Sequence, residues 1–494
     1  MAIQGSSSSA PPEAAASAVL RARLTVAIVF IAVLVTNLDL FVVNIALPRV
    51  GDDFHGASLS ALSWVLNAYA IVFASLLVVF GRLAGRGGQR GGFLLGLVVF
   101  TVGSALCAVA TNTGFLVGAR VLQAVGAAVL VPTSLALLLV NTPTERRAVM
   151  LRAWSVAGGV AATISPVVGG LLAQVGWRWV FIINLPLGVV AFIVGMRTLP
   201  EVRDTERGKL PDVFGAVLLA GSIGALALGL VQVSSWGWGS ARTVGTFAAA
   251  IVLLAGFLIS SARHPSPVVE LPVLRLRALN APAAGLLLYS AGFAAMVLSC
   301  AEWTQNVWGY SALKSGLALV PGVLMVPPFF RISGILSKRI GPGAVAALGN
   351  LFFVVGLLVW ALRITVAADY AAAMLPGAVM VGIGIGLALP TLVATGAFSL
   401  PLERAATSSG VINMSRQIGA VIGVAVLVVT LGKPVGTDAT HTAFRHGWYA
   451  IMVIGLLAAA ASLRIGGSFK PSRSQRTATP AGQGQADVEV SAAS

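Results

Sequence analysis

Charge is scarce in this chain of 494 residues: Asp, Glu, Lys and Arg make up 10% of it, against 57% hydrophobic residues. A soluble domain of this length needs far more charge to solvate its surface, which excludes a water-soluble globular protein. Cysteine is nearly absent. Cys107 and Cys300 both lie inside apolar runs, so no disulfide framework is indicated and packing is their role. Histidine is rare as well. His55, His264, His441 and His446 fall in loops or at the ends of apolar runs, leaving no buried base for a serine nucleophile, so an intramembrane hydrolase is disfavoured and the chain reads as no enzyme. The phosphate-cradling loop of an ATP-driven pump is also missing, because neither Gly208-Lys209 nor Gly432-Lys433 has the upstream glycine such a loop needs. The first residues lack a basic segment ahead of an apolar one. Residues 1–23 therefore read as a disordered cytoplasmic leader instead of a cleaved signal, and residues 466–494 as a disordered cytoplasmic tail.

Long apolar runs, by contrast, are abundant. Fourteen stretches of roughly 20 residues recur between Leu24 and Ile465, each able to cross the hydrocarbon core as a helix. Backbone groups in lipid must be satisfied within their own segment, and these runs are too long for barrel strands, which predicts an all-α polytopic membrane protein. The net charge of +16 does not indicate nucleic acid, since the basic residues are not gathered on one face among aromatics. Of the 32 Lys and Arg residues, 22 lie in the termini and alternate loops, 7 in the other loops and 3 within spans. The positive-inside rule then predicts a multi-pass protein of the cytoplasmic membrane with both termini inside. An internal repeat is visible too. The pattern G-x-L-x-x-R-x-G at Gly81–Gly88 returns at Gly334–Gly341, 253 residues on, while Gly126–Thr133 is matched by Gly384–Thr391 and Pro143–Arg146 by Pro401–Arg404 at an offset of 258. This predicts two parallel six-helix halves, residues 24–198 and 280–465, with a two-helix insert and its cytoplasmic flanks at residues 199–279, the repeat logic of a secondary transporter.

Asp39 is the most informative single residue, because a carboxylate inside a span is expensive and marks an ion pathway or a buried partner. Arg120 in span 4 is its natural partner: counted from the outer ends of their spans, the two differ in depth by roughly 3 Å. Arg416 falls about eleven residues into span 13, roughly 16 Å deep, and should face the bundle interior in a conformational role or a substrate role, with no partner identified. Arg331 reads as a snorkelling residue near the inner end of span 10. Glu302 sits among Trp303, Gln305, Trp308 and Tyr310, a carboxylate amid rings that suits an organic cation, or else an interfacial side chain beside an aromatic belt. In span 5, Pro166 removes a backbone donor while Gly169 and Gly170 permit close helix approach. The segment from Gly81 to Arg90 must turn tightly between spans 2 and 3, which accounts for Gly81 and Gly88, and Arg86 helps hold that end inside.

With Leu38 to Pro48 in span 1 (LDLFVVNIALP) and Trp177 to Gly188 at the start of span 6 (WRWVFIINLPLG), the chain resembles the major facilitator superfamily, and within it the fourteen-spanner drug/proton antiporters, over about residues 24 to 465. The resemblance implies a major facilitator fold and proton-driven export of lipophilic or cationic small molecules, with the proton gradient in place of any cofactor or metal. It also implies proton coupling through the span 4 pattern Arg120, Gln123 and Gly126 acting with Asp39, and alternation through the span 5 motif. Ser165 stands where the family has the first glycine of Gly-Pro-x-x-Gly-Gly, and Gly85 where it usually has Asp, which puts a carboxylate gate at that turn in doubt. Asn44, Glu302, Trp303 and Gln305 are the substrate-binding candidates. Gly81, Arg86, Gly88, Pro166, Gly169, Gly170 and Arg416 are the conformational ones. A facilitator or symporter of a small metabolite on the same fold is the alternative, and a regulatory or lipid-handling membrane protein a distant third.

Overall fold

A computed structural model describes residues 12–55, 57–143, 146–201, 210–397, 399–400, 405–432 and 434–466. Every regular element among them is helical. The long helices are α1 (Pro12–Asp53), α2 (Leu59–Gly87), α3 (Gln89–Ala108), α4 (Thr113–Val140), α5 (Arg147–Val175) and α6 (Asn184–Thr198, after one turn at Trp179–Ile182) in the first half, then α7 (Val213–Trp236) and α8 (Ala241–Arg263). The second half holds α9 (Arg277–Glu302, continued by a wide turn at Trp303–Val307), α10 (Val320–Ile340, after a short helix Ala312–Ala318), α11 (Pro342–Arg363), α12 (Leu375–Ala397, after a wide turn at Tyr370–Met374), α13 (Ala405–Leu431) and α14 (Thr437–Leu463). Among the described residues thirteen spans are long and apolar enough to cross a membrane; α5 is 29 residues long, but its described apolar run is only Ile164–Val175. The helix α1 begins at Pro12, inside the segment read as a disordered leader, while the tail and the second Pro-x-Glu-Arg copy fall outside the described residues.

Polar residues start the helices where the apolar runs begin. Ser58, Asn112, Asp212 and Ser311 each accept a bond from the backbone N–H three residues on, satisfying a donor the first turn leaves open. Between α2 and α3 the chain needs far less room than its glycine content suggests. The helix α2 runs through Gly81 up to Gly87, and Gly88 alone makes the turn at φ 109°. Gly341 does the same between α10 and α11 at φ 86°, a backbone region that a Cβ disfavours.

The repeat is written into the packing of the halves. At Gly126 a Cβ would stand 2.7 Å from the Phe100 Cα and 2.8 Å from the Gly96 carbonyl oxygen, so α4 crosses α3 backbone to backbone. At Gly384 a Cβ would stand 2.7 Å from the Phe353 nitrogen and 2.6 Å from the Gly349 oxygen, and α12 crosses α11 in the same way. Gly96 and Phe100 correspond to Gly349 and Phe353 at the 253-residue offset, and Gly126 to Gly384 at 258. The helix α7 packs on α2 and α13 across the seam between the halves, and α8 packs on α7 with Ile251 and Val252 exposed as a lipid-facing surface would be.

The halves close against each other at the predicted outer end. A Cβ at Gly170 would lie 2.7 Å from the Ala312 oxygen, Gly316 abuts the Pro166 carbonyl, and Gln305 Nε2 donates to the Ile45 oxygen at 3.0 Å. Toward the predicted inner end α10 stands clear. Phe330, Ile332 and Ile335 are exposed there, as is Arg331, and nothing approaches the Cβ position of Gly334.

Candidate functional site

Asp39 and Arg120 are both at 0% exposure and in contact, Arg120 Nη1 donating to Asp39 Oδ2 at 2.5 Å. The depth match of spans 1 and 4 thus brings them together. Around the pair, polar side chains from two further helices close a network. Gln123 Nε2 and Asn184 Nδ2 donate to Asp39 Oδ1 at 2.9 and 3.0 Å, and both also donate to Ser104 Oγ, at 2.6 and 3.1 Å. Arg120 Nη1 also donates to Gln123 Oε1 at 2.7 Å, and its Nε to the Val65 carbonyl at 3.2 Å. The Tyr69 ring lies beneath, 4.1 Å from the guanidinium carbon. Three donors therefore converge on one carboxylate and one cation neutralises it, while Arg120 Nη2 is buried without a hydrogen-bond partner.

Of these partners, Gln123 came with the span 4 pattern, while Asn184 and Ser104 escaped the sequence reading. Both are polar residues inside apolar spans, and that was their only signal.

The helix α1 carries contacts on several sides of Asp39. Ser165 Oγ donates to the Leu38 carbonyl at 3.3 Å, and the Cβ position of Gly169 lies 2.9 Å from the Val42 oxygen. Gly169 thus serves packing within the first half, and of the span 5 motif only Pro166 and Gly170 meet the other half. One turn before Val42, Asn37 Oδ1 accepts from Arg416 Nη2 at 3.1 Å, an unforeseen partner from the second half.

The second half has no such network at the corresponding place. At the 258-residue offset Arg120 and Gln123 become Ala378 and Val381, and at the 253-residue offset that holds upstream Asp39 becomes Gly292. Ala378 and Val381 line a narrow apolar cleft together with Phe293, Val297, Trp360 and, from α5 of the first half, Pro166.

The remaining candidates are dispersed. Trp303 is 1% exposed and enclosed by the rings of Trp308, His441, Phe444 and Trp448, so it is a packing residue and offers no free ring face. Glu302 is buried, with Oε2 accepting from Asn306 Nδ2 at 2.8 Å and Oε1 without a partner, and the nearby Tyr310 ring already holds Lys314 Nζ at 3.7 Å. Asn44 is buried on α1. Arg86 ends α2, its Nη1 buried and without a hydrogen-bond partner, while Arg90 Nη2 donates to the Met196 carbonyl at 2.5 Å and ties α3 to the end of α6. At the other end of the half, Asp53 accepts from Trp177 Nε1 at 3.0 Å and Arg178 Nη1 at 2.8 Å; these bonds, the Trp177 one foremost, hold its carboxyl below the usual range.

Two six-helix halves with matching glycine crossings, in contact at one end and with an apolar cleft between them, are the architecture of a membrane transporter. The chain belongs to the Major Facilitator Superfamily, whose family model matches residues 29–424. It is 34% identical over 416 residues to the tetracenomycin C resistance and export protein of Streptomyces glaucescens, covering 83% of this chain and 76% of that one. It is 32% identical to the probable actinorhodin transporter of Streptomyces coelicolor, over 82% and 71% of the two chains. Among solved structures, tetrameric PepTSo2 superposes with a TM-score of 0.61 at 15% identity, over 90% of this chain and 98% of that one, a likeness of fold.

Proposed function

We propose that the protein is a proton-coupled antiporter that exports lipophilic small molecules across the cytoplasmic membrane by alternating access, with both termini in the cytoplasm. The observation that carries this reading is the buried Asp39–Arg120 pair. Protonating Asp39 removes the charge that neutralises Arg120 and adds a fourth hydrogen where three donors already converge, so the cluster must rearrange. Its members sit on α1, α3, α4 and α6, and α1 touches α5, α9 and α13 as well. A local change in charge is thus coupled to the helices that join the halves. The closed outer end and the open inner end suit the step in which a substrate enters from the cytoplasm. The similarity to a tetracenomycin C resistance and export protein supports the direction of transport.

Everted membrane vesicles energised to an acid interior test this. Accumulation of a lipophilic dye should be accompanied by proton release and should stop when a protonophore collapses the gradient. Accumulation that persists without the gradient would instead mark a facilitator.

A further inference from the structure

Arg416 is a charge in the middle of the bundle without an opposite charge. Its Nη2 donates to Asn37, its Nε has no partner, and no carboxylate among the described residues pairs with it. Its ionisable neighbours are two phenols, Tyr69 and Tyr289, and the buried Tyr289 hydroxyl has no partner of its own. Asn67 adds to the surplus. It is 1% exposed, one turn before Ile71 on the face of α2 that packs on α13, and neither of its amide atoms is bonded. Arg120, at comparable depth, is neutralised by Asp39, so the contrast is not a general habit of this interior. An unneutralised guanidinium inside a membrane bundle is costly and marks a functional place.

The same place lies one ring away from the cleft. Tyr289 stacks on Phe293 with ring centroids 6.1 Å apart, and Phe293 lines the apolar cleft beside Val297 and Val381. A cation with spare donors is therefore linked to an apolar cleft through two stacked rings. We propose that Arg416, Asn37 and Tyr289 form an anion subsite for the acidic head of the substrate, whose apolar body lies in the α9–α12 cleft. The class of compound is a lipophilic aromatic acid bearing a carboxylate, sulfonate or phenolate. This rests on the export reading and sharpens its substrate. It also moves charge recognition away from Glu302, whose aromatic neighbours are already engaged.

Two probes of one scaffold test it: 1-anilinonaphthalene-8-sulfonate and its uncharged analogue N-phenyl-1-naphthylamine. Each is titrated onto the purified full-length protein in lipid nanodiscs, and binding is read by energy transfer from tryptophan. The wild type should bind the sulfonate more tightly than the amine by about tenfold or more, as a charge-assisted bond in a desolvated site gives. Arg416→Gln should erase that preference and leave the amine within about twofold of its original affinity, while Arg416→Lys should keep part of the preference. Three results would overturn the proposal: a wild type that does not prefer the sulfonate, a preference that survives Arg416→Gln, or an equal loss of both probes on that substitution. The wild-type comparison stands even if no variant folds. No proton gradient enters the assay, so a failure of proton coupling leaves its outcome unchanged, and loss of the preference leaves the vesicle test of coupling intact.

Discussion

The two halves share a frame and differ in what fills it. The crossing of α4 on α3 at Gly126 and that of α12 on α11 at Gly384 are built from corresponding residues, with the same backbone atoms approaching the glycine. Yet the turn of helix that carries Arg120 and Gln123 in one half carries Ala378 and Val381 in the other, and the counterpart of Asp39 is Gly292. One half has a charged, hydrogen-bonded network at this position, the other an apolar cleft. Glycines that let backbones touch were retained in both copies, while the side chains they position diverged. Duplication therefore supplied the mechanics twice, and we read the chemistry as divided between the copies.

The largest effect is expected at the network. Asp39→Asn leaves Arg120 buried without its charge partner, which should cost about 3–5 kcal/mol of stability and reduce gradient-driven export to background. The double variant Asp39→Asn, Arg120→Leu should recover much of the thermal stability, followed by helical circular dichroism, and none of the export. If the double variant transports, the division of labour fails. Next come the paired glycines: Gly126→Val and Gly384→Val should each cost about 1–3 kcal/mol through backbone overlap, seen as similar drops in unfolding temperature. A large drop at one and none at the other would show that the frames are not equivalent. Val381→Phe should then fill the cleft and weaken binding of bulky compounds severalfold, while proton release driven by a small substrate persists. The smallest effect belongs to Asp53→Asn, below about 1 kcal/mol because the Arg178 pair is largely exposed. Since the folded carboxyl is held below its ordinary value of 3.8, its contribution is present above that pH and fades only as the pH falls through the lower folded value. Titration of thermal stability in wild type and variant should therefore coincide at strongly acidic pH and separate above it.

How much of this was legible without coordinates depends on the kind of contact. Helix runs, the repeat and the meeting of Asp39 with Arg120 follow from hydropathy, offset and rise per residue, all of which act along one chain axis. Rotation about that axis is what a single sequence conceals. Trp303 and Glu302 are neighbours in sequence, and their rotation alone places one amid the α14 rings and the other beside Asn306. Gly169 and Gly170 looked like one motif but meet opposite halves, because adjacent helical residues point about 100° apart. Gly81 looked like part of a turn, although helix continues past it and one positive φ at Gly88 suffices.

The ladder of contacts along α1 has a consequence for how sequence drift is distributed. Between Asn37 and Ile45 this helix is held by Arg416 and Gln305 of the second half and by Arg120, Gln123, Asn184, Ser165 and Gly169 of the first. Asn37 and Asp39 point about 200° apart around its axis, so the segment is gripped from opposite sides. A substitution here disturbs partners on both sides at once and has no free face on which to be absorbed, whereas α8 touches little besides α7. In a saturation library selected for resistance, surviving changes should accumulate in α8 and be nearly absent from these two turns of α1.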